Sequence, residues 1–208
     1  MIYCTADIHG EFERFRRLLE LIRFSGEDTL YVLGDVIDRG LDGVKVLEFI
    51  REQENMALLM GNHEKMCLDA LGKDSLPGAR KLWELNGGRP THIDLAEHPD
   101  RDALLAYLSG LPLFLDIEVN GKSFRLVHGF PGETEEDMLW GRPEAGMTRR
   151  PLPGKTVIVG HTPTQHLTGK SFIWHGPGIL DIDCGCGHDD PNRLLAGLRL
   201  DDMKEFYA

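Results

Sequence analysis

Five short segments of the chain concentrate side chains that can bind cations and move protons. They are Asp7-Ile8-His9-Gly10, Gly34-Asp35-Val36-Ile37-Asp38-Arg39-Gly40, Gly61-Asn62-His63-Glu64, His128-Gly129 and Gly160-His161-Thr162-Pro163. Brought together, Asp7 and Asp35 offer carboxylates, Asn62 an amide oxygen, and His9, His128 and His161 imidazoles. A mixed nitrogen and oxygen set of this kind suits Mn²⁺, Fe or Zn²⁺ better than Ca²⁺. Its lack of thiolates argues against a structural zinc knuckle. Taken singly, each segment also reads as something plainer. Asp-x-His is commonly a helix cap beside a surface histidine, Gly-Asp a turn, and Asn-His-Glu a helix start, because Asn is a favoured N-cap. The joint pattern carries the weight, since all five segments close a strand-like run.

Those runs set the architecture. Ile2–Ala6 is a short apolar strand, followed by Phe12, Phe15, Leu18, Leu19 and Ile22 at helical spacing over residues 11–23. Thr29–Leu33 forms a second strand. A helix with Val44, Leu47 and Ile50 follows, with Asp42 placed to cap it. Ala57–Met60 forms a third strand, and a helix restarts over Glu64–Leu71. This alternation favours parallel strands with helical crossovers, and loops at the carboxyl ends of such strands converge on a ligand site. Farther along, Leu113–Val119 and Lys122–His128 flank Asn120-Gly121, a strong hairpin signal because both turn residues need positive φ. Residues 129–154 read as a long loop, and Thr156–Val159, Ser171–Trp174, Ile179–Ile182 and Leu194–Leu200 as further strands. The expected fold is α/β, with mixed sheets and helices outside, in one domain over residues 1–208.

Composition narrows the function. The chain has 208 residues, 41% hydrophobic and 27% charged, which excludes collagen-like, coiled-coil and disordered classes. With 34 acidic against 23 basic residues the net charge is −11, which disfavours nucleic acid as a partner. No apolar run is long enough to span a membrane, and the N-terminus lacks the pattern of an export signal. A cytoplasmic protein is expected. Cys4, Cys67, Cys184 and Cys186 form no CxxC pair and are expected to be buried free thiols.

With these segments in this order, the chain resembles the calcineurin-like metallophosphoesterases. Within them it is similar to the phosphoprotein phosphatase branch, of the bacterial and bacteriophage serine/threonine phosphatase type. Leu85-Asn86-Gly87-Gly88 matches a further segment of that branch. The resemblance implies a sandwich of two mixed β-sheets flanked by helices, and two divalent metal ions, Mn²⁺ first, with Fe or Zn²⁺ as the other ions. Asp7 and His9 would bind one ion, Asp35 would bridge, and Asn62, His128 and His161 would bind the second. Many phosphodiesterase branches carry a second histidine two residues after the position of His161, where this chain has Pro163. Many members carry an arginine just before Gly-Asn-His-Glu, where this chain has Met60.

The implied reaction is direct attack of a metal-bridging hydroxide on a phosphoserine or phosphothreonine monoester. His63 is the candidate general acid for the leaving alkoxide, and Asp38 the carboxylate that orients it. Arg39 and Arg142 are candidate phosphate clamps, since a guanidinium grips phosphate with two parallel donors. The expected partner is a phosphoprotein or phosphopeptide, and the expected state a monomer or small homo-oligomer. His92, His98, His166, His175 and His188 match no motif and are expected at surface or structural positions. The nearest alternative is a nucleotide hydrolase, such as a symmetrical diadenosine tetraphosphatase or a cyclic-nucleotide phosphodiesterase. A non-catalytic module that keeps the fold is the alternative of another class, against which the intact His63 argues.

Overall fold

A computed structural model describes all residues, 1–208. The strands are β1 (Ile2–Thr5), β2 (Thr29–Val32), β3 (Met56–Leu58), β4 (Phe114–Val119), β5 (Lys122–Val127), β6 (Thr156–Val159), β7 (Trp174–Gly176), β8 (Ile179–Asp181), β9 (Ala196–Arg199) and β10 (Lys204–Tyr207). The helices are α1 (Phe12–Ile22), α2 (Gly43–Arg51), α3 (Asn62–Leu71), α4 (Ala79–Trp83), α5 (Arg89–Ala96), α6 (Arg101–Ser109), α7 (Glu135–Trp140) and α8 (Gln165–Thr168). A single π-turn, Glu84–Gly88, links α4 to α5.

Two five-stranded sheets, β10-β9-β1-β2-β3 and β4-β5-β6-β8-β7, make the expected sandwich. Both are mixed: β1, β2 and β3 run parallel and β9 antiparallel to β1, while β5, β6 and β8 run parallel between antiparallel β4 and β7. The pleat sorts the side chains. Tyr3, Leu30 and Val32 join the core beneath α1, α2, α3 and α6. Cys4 and Leu33, on the opposite face, meet Phe124, Leu126, Ile158 and Leu180 between the sheets. The outer face of the second sheet is covered through Met138 of α7, which packs on Val127, Val157, Val159 and Ile179.

The Asn120-Gly121 hairpin forms as the sequence requires, with φ of 50° and 74°. Other expectations need correction. Residues 129–154 are not all loop. Thr134 caps α7 there in a capping box, its hydroxyl accepting from the Asp137 N–H at 3.1 Å. Of Ser171–Trp174 only Trp174 is in a strand, because the run that pairs with β8 begins there. Asp42 stands at the α2 N-cap position but makes no capping hydrogen bond. The closing edge strand β10 was not anticipated. All four cysteines are free and buried, as expected.

Candidate active site

Each candidate donor emerges just past a strand or at the start of a helix. Asp7 and His9 follow β1, Asp35 and Asp38 follow β2, and Asn62 and His63 open α3 after β3. His128 follows β5 and His161 follows β6, so both sheets contribute. The backbone is bent hard to present them. Asp7, His9, Asp35, Asp38, Arg39 and His161 all have φ between 48° and 72°, and they make up six of the nine non-glycine residues with positive φ. Left-handed backbone costs a residue with a Cβ energy, so its concentration here marks the place where the fold holds strain. Gly61 allows one close approach: a Cβ at that position would collide with the Asp35 carboxylate.

Glu64 fastens the strained turn. Its carboxylate accepts from the N–H of Asp35 at 2.8 Å, of Val36 at 2.9 Å and of Gly61 at 3.0 Å. It is buried, and burial with the nearby Asp35 pushes its pKa up to about 7 against the pull of those N–H groups. The Gly-Asn-His-Glu motif contained this residue, but spacing alone did not show that it reaches back 28 and 29 positions to hold the Asp35 turn.

The donors converge. One nitrogen or oxygen from each of Asp35, His128 and His161 lies within 4.8 Å of the others, and the same holds for His9, Asp35 and His63. Asp35 stands in both groups. Its Oδ1 lies 3.4 Å from His128 Nε2 and its Oδ2 lies 3.6 Å from His9 Nε2. His9 donates from Nδ1 to the Ile37 carbonyl at 3.1 Å, and His128 from Nδ1 to the Leu33 carbonyl at 2.7 Å. Those bonds turn the Nε2 lone pairs inward, as second-layer carbonyls do for metal-binding histidines. Asn62 Oδ1 then lies 2.9 Å from His128 Nε2 and 3.0 Å from His161 Nδ1. His161 Nε2 is buried without a partner. Lone pairs facing one another in a buried space are what a cation resolves, so these residues fit divalent metal.

Asp7 completes the set from the side of β1. Its two oxygens accept from the His161 N–H at 3.2 and 3.0 Å. Burial, then the carboxylates of Asp183 and Asp35, raise its pKa well above the usual range. Burial also drives His9 down, and brings His161 to about 3. Burial opposes charge on Asp35, yet the imidazoles of His128, His63 and His9 outweigh it and hold the carboxyl low.

His63 and Asp38 form the expected dyad, with Nδ1 donating to Asp38 Oδ2 at 2.7 Å. Burial lowers the His63 pKa, but Asp35 and Asp38 outweigh burial and the net shift is upward. Arg39 bridges two imidazoles. Its Nη2 lies 3.2 Å from His63 Nε2 and its Nη1 2.9 Å from His188 Nε2. His188 therefore belongs beside the site, not at an unrelated position, because its segment folds back until Gly187 packs against the His9 ring. Arg142 donates to Thr162 Oγ1 at 3.4 Å, next to His161, and Trp140 sets its ring edge-on to His161 with centroids 5.7 Å apart. All ten candidate residues thus gather at one end of the sandwich. No local spacing in the sequence discloses the supporting contacts of Glu64 and His188, nor those of Thr91 Oγ1, which accepts the Asp38 N–H at 2.9 Å, and Trp83, whose indole N–H donates to Asp38 Oδ2 at 2.6 Å.

Comparison with known proteins agrees with this geometry. The model of the calcineurin-like phosphoesterase family matches residues 1–199, and the chain belongs to that family. It is 31% identical to a serine/threonine-protein phosphatase 1 of Salmonella typhimurium over 176 residues, 79% of each chain. It is 36% identical to a symmetrical bis(5'-nucleosyl)-tetraphosphatase of Delftia acidovorans over 130 residues, 62% of this chain and 41% of that protein. The matched part thus spans less than half the length of that tetraphosphatase. Among solved structures, a serine/threonine phosphatase from Saccharomyces cerevisiae with similarity to human PP5 shares the fold. Its TM-score is 0.65 and its identity 14%, with 100% of this chain and 78% of that one covered.

Proposed function

We propose that this metallophosphoesterase hydrolyses phosphoserine and phosphothreonine monoesters in proteins, with two divalent metal ions, Mn²⁺ foremost. The His63–Asp38 hydrogen bond at 2.7 Å carries the reading. A serine alkoxide leaves poorly unless protonated, and an imidazole oriented by a buried carboxylate is the group for that task. The Salmonella phosphatase, matched over 79% of its length, supports the same substrate class.

In this reading Asp7 and His9 would hold one ion, Asn62, His128 and His161 the other, and Asp35, which stands in both donor groups, would serve both. When bound, the pair supplies Lewis acidity toward water and the phosphoryl oxygens. Arg39 and Arg142 bind phosphate oxygens and fix the ester in line. Engagement of Arg39 by phosphate draws its guanidinium off His63 Nε2. Asp38 holds the Nδ1 proton, and the freed Nε2 takes up a proton from solvent, so the imidazolium gives that Nε2 proton to the departing serine oxygen.

A second reading, symmetrical cleavage of a dinucleoside tetraphosphate, is favoured by the 36% identity to the Delftia enzyme. One experiment separates the two. The protein is stripped of metal, Mn²⁺ is restored, and phosphate release is followed from a phosphoserine peptide, an aryl phosphate and a dinucleoside tetraphosphate. Mn²⁺-dependent release from the peptide is the expected result. Turnover of the tetraphosphate with none of the peptide would sink the protein phosphatase reading.

A further inference from the structure

Asp38 is held almost wholly by one helical segment, and the tightest hold is a tryptophan. Trp83, the last residue of α4, is fully buried and donates its indole Nε1–H to Asp38 Oδ2 at 2.6 Å. That oxygen is the one that accepts from His63 Nδ1 at 2.7 Å. The other oxygen, Oδ1, is buried with no partner. From α5, Thr91 Oγ1 accepts the Asp38 N–H at 2.9 Å. From the π-turn, the Gly87 carbonyl accepts the Arg39 N–H at 2.9 Å. The indole cannot swing away, because Gly88 packs against its pyrrole edge so closely that any Cβ there would overlap the ring.

We infer that Trp83 is a positioning residue for acid catalysis. Its N–H selects which oxygen of Asp38 faces His63 and locks the imidazole with Nε2 toward the leaving group. Without the indole N–H, Oδ2 keeps only the His63 contact, and nothing then holds that oxygen rather than the unpartnered Oδ1 toward the imidazole. The carboxylate would rotate, and His63 would lose its fixed orientation. At Gly87, whose φ is 101°, the chain kinks between α4 and α5, and Trp83, Gly87 and Thr91 all reach the Asp38-Arg39 pair from this one bent segment.

This inference rests on the monoesterase reading, and the leaving group tests it. A serine alkoxide needs the proton, whereas a nitrophenolate leaves without one, so a fault in acid positioning shows on the first ester and spares the second. Trp83→Phe is assayed on a phosphoserine peptide and on p-nitrophenyl phosphate with saturating Mn²⁺. The expected kcat loss on the peptide is roughly 10- to 100-fold, as for other outer-layer partners. On the aryl ester kcat stays within about threefold, because the proton is not required there. With His63→Asn already present, Trp83→Phe costs nothing further on the peptide.

Phe leaves a small void, so a second variant keeps the packing. A tryptophan analogue with sulfur in place of the indole N–H, placed at position 83, gives the same selective loss if the hydrogen bond is responsible. Equal loss on both esters, or no loss with the sulfur analogue, overturns the role of Trp83 while leaving the phosphatase intact. Wild-type protein that releases phosphate from neither ester overturns the monoesterase reading and this role with it.

Discussion

In the proposed reaction His63 is the residue on which turnover depends, because its two nitrogens have separate tasks. Asp38 accepts from Nδ1 at 2.7 Å, and the Arg39 guanidinium lies 3.2 Å from Nε2. His63→Asn removes the proton donor without touching the six proposed metal ligands. The expected result is a kcat on phosphoserine peptide lower by about 10²–10⁴-fold, with metal content by elemental analysis unchanged. A variant that turns over normally would show that another group protonates the alkoxide. The metal-ligand candidates and His63 were legible in the sequence because each lies just past a strand or at the start of a helix, and Asp38, Arg39 and Arg142 through the family resemblance. Glu64, Trp83, Thr91 and His188 were not legible by role. Their contacts cross from one segment to another, such as the 45 positions between Trp83 and Asp38, and no local spacing encodes them.

At the scale of elements, the β4–β5 hairpin shows what patterning can and cannot disclose. Asn120-Gly121 announced its turn, and the register followed, pairing Asp116 with Arg125. Nothing in the pattern disclosed that Lys155, just ahead of β6, would join the same carboxylate at 2.6 Å. Helix α7 hid for a different reason: it is short, and its Thr134 capping box sits in a stretch dominated by glycine, proline and charge. The Asp116 cluster has a pH signature. The hydrogen bond from Arg125, then that from Lys155, lowers the Asp116 pKa to about 2. A carboxyl whose folded pKa lies below its unfolded value binds its proton more readily when unfolded. Its contribution is therefore complete above roughly pH 4 and is lost as pH falls toward 2. Because Asp116 is 37% exposed, solvent screening keeps that contribution under about 1 kcal/mol. Asp116→Asn should lower the urea midpoint slightly at pH 6, with the gap to wild type closing between about pH 4 and 2. A gap that stays constant across that range would assign the effect to packing instead.

At the scale of the whole molecule, the two sheets meet over an apolar core, and the polar site occupies only one end of their edges. Leu33, Phe124, Ile158 and Leu180 pack between the sheets without help from the donors. Metal should therefore tune stability and not create the fold. The site nonetheless gathers Asp7, Asp35 and four imidazoles in buried space. Metal-free protein should remain folded, with far-ultraviolet circular dichroism like that of the loaded protein. Binding that is selective for the native state adds RT ln(1 + [L]/Kd), about 2.7 kcal/mol when free Mn²⁺ is 100 times Kd. For a chain of this length that corresponds to a Tm rise of roughly 5–10 °C. Asp35 lies in both donor groups, so Asp35→Asn should abolish most of that rise, whereas Asp116→Asn, in β4 and in neither group, should keep it. Thermal scans with and without Mn²⁺ on these three proteins decide the matter. An unchanged wild-type Tm, with no metal found in the dialysed protein, would refute the dinuclear site. An unchanged rise in Asp35→Asn would refute the bridging place of Asp35 while leaving the other donors in contention.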